Sequence, residues 1–155
     1  MDKKLQIDLQ RVPQHVAVIM DGNGRWAKGK GMKRVFGHKN ALTSVRETIE
    51  SAAEIGVKAI TLYAFSTENW NRPKLEVNAL MNLLISSLKK ELPTFQKNNV
   101  KVNAIGNLDL LPKNAQTTLK EVIEITKNNS KITLTLALSY GSREEIVNTI
   151  QNISK

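Results

Sequence analysis

The sequence predicts an α/β fold with a mainly parallel central sheet of four strands and flanking helices. Two observations lead to this prediction. Short apolar runs alternate along the chain with longer stretches in which apolar residues recur at helical spacing. The first two apolar runs each end in a polar turn of unusual composition. Strands that alternate with helices are joined by crossovers, which place successive strands parallel in one sheet.

The predicted strands cover residues 16–20, 58–65, 100–106 and 132–140. The first is apolar throughout, which is typical of a strand covered on both faces. Asp21-Gly22-Asn23-Gly24 ends it at the point where a parallel strand should meet a helix. Because ligands of open α/β sheets bind at the carboxyl ends of the strands, this turn is the first candidate for a site.

The predicted helices cover residues 37–56, 74–98, 112–129 and 143–154. Gly56 is a natural C-cap for the first helix, and Pro93 is expected to kink the second. Ser142 is predicted to cap the last helix, with Glu145 in the capping-box position. The inward-facing residues of the third helix are predicted to be Leu119, Val122, Ile123 and Ile125.

Length and composition favour one globular domain over residues 1–155. No cysteine is present, which excludes disulfides, thiolate nucleophiles and cysteine zinc sites and fits the cytoplasm. The N-terminus is too polar for a signal peptide, and no apolar run approaches membrane-spanning length. We therefore expect a protein that neither spans a membrane nor is exported.

The net charge of +9 is concentrated near the first turn. Six lysines and arginines lie between Asp21 and Lys39, where Asp21 is the one carboxylate. Clustered cations can neutralise the phosphates of nucleic acid. However, aromatic residues are only 5% of the chain and are not interleaved with these cations as a base-stacking surface requires. A small-molecule phosphate is therefore favoured over nucleic acid.

The last predicted helix has an apolar face with no element after it to cover that face. Its apolar residues are Ile146, Val147, Ile150 and Ile153. No capping glycine follows them. We therefore expect residues 1–155 to form a single domain that is shortened at its C-terminus.

Four motifs resemble a known family. They are Asp21-Gly-Asn-Gly-Arg-Trp-Ala, Arg34-x-x-Gly-His38, Leu62-Tyr-Ala-Phe-Ser-Thr-Glu-Asn-Trp-Asn-Arg-Pro73 and Tyr140-Gly-Ser-Arg143. Together they are similar to the cis-prenyltransferases, specifically the bacterial undecaprenyl diphosphate synthases, and the similarity extends over residues 15–154. The resemblance implies that farnesyl diphosphate is extended with isopentenyl diphosphate, with Mg²⁺ as cofactor. It also implies an undecaprenyl diphosphate synthase-like fold, a homodimer, and transient contact of this cytoplasmic enzyme with the membrane surface that receives its lipid product.

In the first turn, the resemblance assigns Asp21 as the essential aspartate that holds Mg²⁺ against the diphosphates. Read alone, Asp21 would be an ordinary helix N-cap. Gly22, Asn23, Gly24 and Arg25 match positions that bind the allylic diphosphate, although an isolated Gly-x-Gly is usually a plain turn between a strand and a helix.

Four further residues match substrate positions in or near the two turns. Arg34 and His38 match additional diphosphate contacts, and each read alone would be a solvated charge or a helix cap. Trp26 and Trp70 match residues that border the allylic substrate and a mobile loop, with packing as the alternative. Exclusion of water matters in such a site because water captures an allylic cation.

In the second turn, Ser66, Thr67, Glu68 and Arg72 match substrate-binding positions. Asn69 matches the proposed proton acceptor. A neutral amide has almost no basicity, so this residue would orient a proton relay to a diphosphate oxygen. Without the first motif, the same residues would read as a loop that enters a helix.

The resemblance also implies a hydrophobic tunnel for the growing chain. It would be lined by the helix at 74–98, the helix at 37–56 and the sheet, with Ala64 and bulkier residues deeper in the tunnel helping to set product length. The family continues beyond the point where this chain ends. That continuation carries isopentenyl diphosphate-binding residues, a metal-binding glutamate and much of the dimer contact.

Three alternatives remain. The first is a non-catalytic fragment that binds an allylic diphosphate or acts as partner to a complete subunit. The second is a phosphohydrolase with Asp21 as nucleophile, which is disfavoured because Asn23 stands where a second aspartate is expected. The third is nucleic-acid binding.

Overall fold

The computed structural model describes residues 6–154, except the side chains of Arg34, Val35, His38 and Lys39. Its sheet has four strands, all parallel, in the order β1-β2-β4-β3. The strands are β1 (His15–Ile19), β2 (Ala59–Ser66), β3 (Val100–Ile105) and β4 (Ile132–Tyr140). The α/β class and the parallel sheet predicted from the sequence are therefore confirmed.

Five α-helices connect or follow the strands within the described residues. They are α1 (Asn23–Gly29), α2 (Arg34–Ile55), α3 (Lys74–Lys97), α4 (Lys113–Thr126) and α5 (Ser142–Ile153). The predicted helices correspond to α2 through α5, and Gly56 ends α2 in the left-handed region at φ 96°. The short helix α1 was not predicted, because its glycine- and lysine-rich sequence lacks an apolar face of its own.

The core lies where the central strands β2 and β4 meet the long helices. Ile60, Leu134 and Leu138 are almost completely buried, as are Leu119 and Val122 of α4. Burial of each such side chain contributes about 1.5–3 kcal/mol. The core therefore holds the sheet rigid beneath the polar turns at its carboxyl edge.

Three local predictions are wrong. β1 is an edge strand covered on one face only, and Ile19 is 76% exposed. Ile125 lies on the outer face of α4. The N-cap of α5 is Gly141, which has no side chain to form a cap, and Glu145 Oε2 accepts a hydrogen bond of 2.7 Å from the Tyr140 hydroxyl instead of forming a capping box. Each error arises because the sequence of one segment does not show which other residues it will contact.

The predicted apolar stripe of α5 is present and exposed: Ile146, Val147, Ile150 and Ile153 are each at least half exposed. Pro93 lies inside α3, which continues through it to Lys97. Among the described residues, none of the helices combines the length and the apolar character that crossing a membrane would need.

Candidate functional site

The two motif turns lie at the same edge of the sheet. Asp21 follows β1, and a short 3₁₀ helix, Thr67–Asn71, follows β2, which pairs directly with β1. On the other side of β2, a Cβ added to Gly141 at the end of β4 would lie 2.6 Å from Thr67 Oγ1. The ends of three adjacent strands thus converge, and a side chain at position 141 would have to displace that of Thr67.

Asp21 lies at the surface and is held by two hydrogen bonds. Its Oδ1 accepts from the Gly22 backbone N–H at 2.6 Å, and its Oδ2 accepts from Arg25 Nη2 at 2.8 Å. The N-cap of α1 is Gly22, at φ 90°, so the simple N-cap reading of Asp21 is wrong. Both charged side chains are 76% exposed, which leaves the carboxylate accessible to a ligand.

Close contact between α1 and α2 holds the first turn in place. A Cβ added to Gly37 would overlap the backbone carbonyl oxygen of Asn23 and lie 2.7 Å from its carbonyl carbon. Trp26 of α1 is 47% exposed, with Lys30 Nζ 5.1 Å from its ring centroid. This tryptophan is therefore available to a ligand rather than part of the core.

The predictions for Arg34 and His38 concern side chains outside the described residues, so their roles stay predictions. Their backbone lies in the first turns of α2. Because Gly37 stands beside His38 and contacts the Asn23 backbone, this part of α2 does border the first turn.

The second turn is organised by its own side chains. Ser66 and Asn69 form a capping box, in which Asn69 Oδ1 accepts from the Ser66 backbone N–H at 3.3 Å. Arg72 Nη1 donates to Glu76 Oε1 at 3.1 Å. The amide oxygen of Asn69 is thereby fixed, while both Asn69 and Arg72 border the cavity described below.

The carboxyl group of Glu68 is held in its charged form. Its pKa is lowered, first by a hydrogen bond with its own backbone N–H and then by the Ser66 hydroxyl. A lowered pKa in the folded state stabilises the turn above the ordinary carboxylate pKa of about 4.3, and this contribution is lost as pH falls through the folded value.

We expect Ser66→Ala to raise the pKa of Glu68 toward its ordinary value, because the substitution removes one of the donors that favour the carboxylate. A carbon-13 NMR titration of the side-chain carboxyl measures this pKa. Equal values in the parent and in Ser66→Ala would contradict the prediction.

A hydrogen bond fixes the Trp70 side chain against the end of β4. Its Nε1 donates to Ser139 Oγ at 2.9 Å, and its ring meets Phe65 edge-on with centroids 4.8 Å apart. Ser139 is buried at φ 49°, in the left-handed region. This role of Ser139 was not predicted from the sequence, in which the only signal is its position directly before the Tyr140-Gly141 motif.

We expect Ser139→Ala to lower the free energy of unfolding by about 1–2 kcal/mol, because it leaves the Trp70 indole N–H without its acceptor. Denaturant unfolding measures the change, and Trp70 fluorescence should shift with it. The matched control is Ser86→Ala on the exposed side of α3, which should cost less than about 0.5 kcal/mol. An equal cost for both variants would refute the role of Ser139.

An elongated cavity of about 510 Å³ runs from the two turns between α2, α3 and the sheet. Asp21, Asn23, Ser66, Asn69 and Arg72 line its mouth. Most of its wall is apolar and includes Leu42, Val45, Ala64, Leu80, Leu84, Leu88 and Leu136. The predicted tunnel beside the turns is present. Its most distant part also contains polar residues, which the apolar pattern of α3 did not reveal.

Asp21 is the carboxylate at the mouth of this cavity. Among the residues with described positions, no three histidines or carboxylates approach closely enough to form a metal site by themselves. Mg²⁺ commonly takes one or two carboxylates and completes its coordination with substrate phosphates and water. One exposed Asp21 carboxylate fits that mode of binding.

Comparison with known proteins agrees with this geometry. The sequence pattern of the family described as "Putative undecaprenyl diphosphate synthase" matches residues 19–155. An isoprenyl transferase of Clostridium tetani is 49% identical over 98% of this chain and 60% of its own length. A ditrans,polycis-undecaprenyl-diphosphate synthase of Pasteurella multocida, described as specific for (2E,6E)-farnesyl diphosphate, is 45% identical over 97% of this chain and 63% of its own.

Solved structures give the same result. Lavandulyl diphosphate synthase of Lavandula x intermedia, in complex with dimethylallyl diphosphate, matches 92% of this chain and 61% of its own, with a TM-score of 0.86 and 34% identity. A probable undecaprenyl diphosphate synthase of Campylobacter jejuni matches 90% of this chain and 60% of its own, with a TM-score of 0.75 and 34% identity. The chain spans about 60% of the length of the Clostridium tetani relative. It belongs to the undecaprenyl diphosphate synthase family of prenyltransferases.

Proposed function

We propose that this chain binds farnesyl diphosphate, and that it carries the allylic half of a cis-prenyl chain-elongation site. One observation carries the proposal. Polar side chains from both motif turns line the mouth of a single elongated apolar cavity. A diphosphate has the charge and hydrogen-bonding capacity for the turns, and a hydrocarbon tail fits the apolar wall. A simple phosphate ester or a nucleic acid would use the polar turns but not the apolar wall.

The relatives support this substrate class. The Pasteurella multocida protein is named for farnesyl diphosphate, and the lavender enzyme is complexed with an allylic diphosphate. In this chain Arg25 and the backbone N–H groups of Asn23 and Gly24 would bind the diphosphate, while Gly22, whose N–H donates to Asp21 Oδ1, would shape the turn around it. Trp26 and Trp70 would border the allylic group, while Arg34, His38, Ser66, Thr67, Glu68 and Arg72 would complete the contacts.

In elongation, the allylic C1–O bond breaks and its electron pair leaves with the diphosphate. A bond forms between C1 and C4 of isopentenyl diphosphate, and a proton leaves C2. Cationic and N–H donors at the first turn stabilise the charge that develops on the departing diphosphate. Asn69, whose amide is held by the Ser66 N–H, would orient the proton as it passes to a diphosphate oxygen. The apolar wall excludes water from the allylic cation.

We also propose Mg²⁺ as the cofactor, with Asp21 as its protein ligand. When bound, this ion would neutralise charge on the diphosphates and hold them in place. The accessibility of the Asp21 carboxylate at the cavity mouth supports this assignment.

The test compares binding with turnover. Calorimetry with farnesyl diphosphate, isopentenyl diphosphate and Mg²⁺ measures binding, and labelled isopentenyl diphosphate measures extension. Binding of farnesyl diphosphate together with extension supports the full proposal. Binding of farnesyl diphosphate alone supports the alternative, a non-catalytic binding fragment or partner subunit. Absence of farnesyl diphosphate binding would overturn both.

We further propose a homodimer that works in the cytoplasm and contacts the inner membrane surface transiently to release its lipid product. Light scattering measures the oligomeric state, and vesicle sedimentation with and without bound product measures membrane contact. A monomer at high concentration, or vesicle binding independent of product, would contradict these assignments.

A further inference from the structure

Strand β4 contains a β-bulge beside the second motif turn. The ladder between β2 and β4 passes from the Phe65–Leu138 pair directly to the Ser66–Tyr140 pair, so Ser139 has no partner residue in β2. Ser139 is 1% exposed. A bulge changes the direction of a side chain and is common next to active sites. The position of Ser139 therefore suggests a role in the site beside it.

The backbone of Ser139 is strained. Its φ of 49° lies in the left-handed region, which residues other than glycine, asparagine and aspartate seldom adopt. Such conformations persist only where the surrounding structure holds them, and they cluster at functional sites. The contacts around Ser139 must therefore hold this conformation in place.

The end of β3 holds the bulge from one side. The Asn107 N–H donates to the Ser139 carbonyl oxygen at 3.1 Å. Gly106 has a φ of 107°, and a Cβ added to it would lie 2.1 Å from the Leu138 carbonyl oxygen. The backbone of Gly106 thus packs directly against the bulge, at a distance that leaves no room for a side chain.

The second motif turn contacts the bulge from the other side. Ser139 Oγ accepts the hydrogen bond of 2.9 Å from Trp70 Nε1. Trp70 belongs to the 3₁₀ helix Thr67–Asn71, in which it directly follows Asn69, and Arg72 comes immediately after this helix. Asn69 and Arg72 both line the mouth of the cavity. The bulge is therefore linked to two mouth residues through one indole ring.

We propose that Ser139 is a positioning residue for the second motif turn. Its hydroxyl holds Trp70, and Trp70 in turn holds Asn69 and Arg72 in place at the mouth. Without this acceptor the 3₁₀ helix would keep its capping box but lose its hydrogen bond to β4. The Asn69 amide and the Arg72 guanidinium would then be held less precisely, which weakens their contacts with a substrate. This inference rests on the proposed function, which assigns both side chains to the prenyl diphosphate.

The first experiment separates positioning from backbone strain. Ser139→Ala removes the acceptor and keeps a side chain in the left-handed region, whereas Ser139→Gly removes the acceptor and relieves the strain. Denaturant unfolding should therefore show that Ser139→Gly is the more stable of the two variants. Calorimetry should nevertheless show that both bind farnesyl diphosphate about tenfold more weakly than the parent, because both lack the hydrogen bond to Trp70.

Ser139→Asn is the conservative replacement. Asparagine tolerates the left-handed region and still offers an acceptor oxygen to the Trp70 indole. This variant should therefore bind farnesyl diphosphate more tightly than Ser139→Gly does.

The second experiment moves the bulge while Ser139 itself stays unchanged. Gly106→Ala would push the Leu138 carbonyl away and should weaken farnesyl diphosphate binding about tenfold. Gly56→Ala is the matched control. Gly56 has a φ of 96°, so alanine is strained there as well, but a Cβ at this position would meet no atom within 4 Å. This variant should keep the parent's affinity.

Hydrogen exchange of the Trp70 indole N–H, followed by NMR, gives a readout that is independent of the substrate. Exchange should be slow in the parent and in Gly56→Ala, and faster in Ser139→Gly and Gly106→Ala. A folded Ser139→Gly protein with fast indole exchange and the parent's affinity would overturn the inference alone. Affinities that follow stability, with Ser139→Ala weaker than Ser139→Gly, would also overturn it, because Ser139 would then have a purely structural role.

If Ser139→Gly does not fold, the two glycine variants decide, and equal affinities of Gly106→Ala and Gly56→Ala would overturn the inference. A parent that binds no farnesyl diphosphate would overturn the proposed function as well.

Discussion

The Gly37→Ala variant is expected to lose about 100-fold in farnesyl diphosphate affinity, together with about 1–3 kcal/mol of unfolding free energy. The added methyl group would overlap the Asn23 carbonyl oxygen and lie 3.1 Å from the Ala27 Cβ. Since backbone cannot rotate away as a side chain can, α1 must move from α2. That movement displaces the turn that holds Asp21. Calorimetry and denaturant unfolding measure the two effects.

Gly29→Ala is the matched control for Gly37→Ala. Gly29 is the last residue of α1, and a Cβ there would meet no atom within 4 Å. This variant should keep the parent's affinity and remain within about 0.5 kcal/mol in stability. Equal behaviour of the two variants would show that close packing of α1 on α2 does not position the first turn.

The Asp21→Asn variant is expected to lose the dependence of farnesyl diphosphate binding on Mg²⁺. Asparagine keeps the size of the side chain and can still accept a hydrogen bond from the Gly22 N–H, but it removes the negative charge that attracts the cation. The ratio of affinities measured with and without Mg²⁺ should therefore fall to about one. Extension, where the parent performs it, should fall by about 100-fold or more.

Asp109→Asn provides the control for Asp21→Asn. Asp109 is also an exposed aspartate after a strand, in the 3₁₀ helix Leu108–Leu110, but it does not line the cavity. Its replacement should leave the magnesium dependence unchanged. A full magnesium effect in Asp21→Asn would assign the metal to other ligands.

Much of the fold could be read from local pattern. The fourth strand occupies residues 132–140 as predicted, and α3 begins at Lys74 as predicted. The periodicity of apolar residues predicts these elements correctly because it reflects which face of a strand or helix is buried. It failed for β1, since an apolar run looks the same whether a strand is covered on one face or on both, and the position at the sheet edge decides which.

The candidate site was only partly visible in the sequence. Both motif turns could be identified, because their residues are consecutive and their composition is unusual. The Trp70–Ser139 hydrogen bond and the Arg46–Glu91 pair could not, because their partners are separated by 69 and 45 residues. Nothing in either local segment indicates which distant residue it will meet.

The order of strands and helices, the chemistry of the two turns and the family of the chain could all be read from local sequence pattern. Packing between distant segments places β2 between β1 and β4, and this strand order brings the turns after Ile19 and Ser66 to one cavity mouth. The same packing makes α2 and α3 enclose a cavity, which Arg46 and Glu91 line as an ion pair. These features differ because the burial of one face of an element is encoded in its own residues, whereas strand order and helix contacts depend on how distant segments pack together.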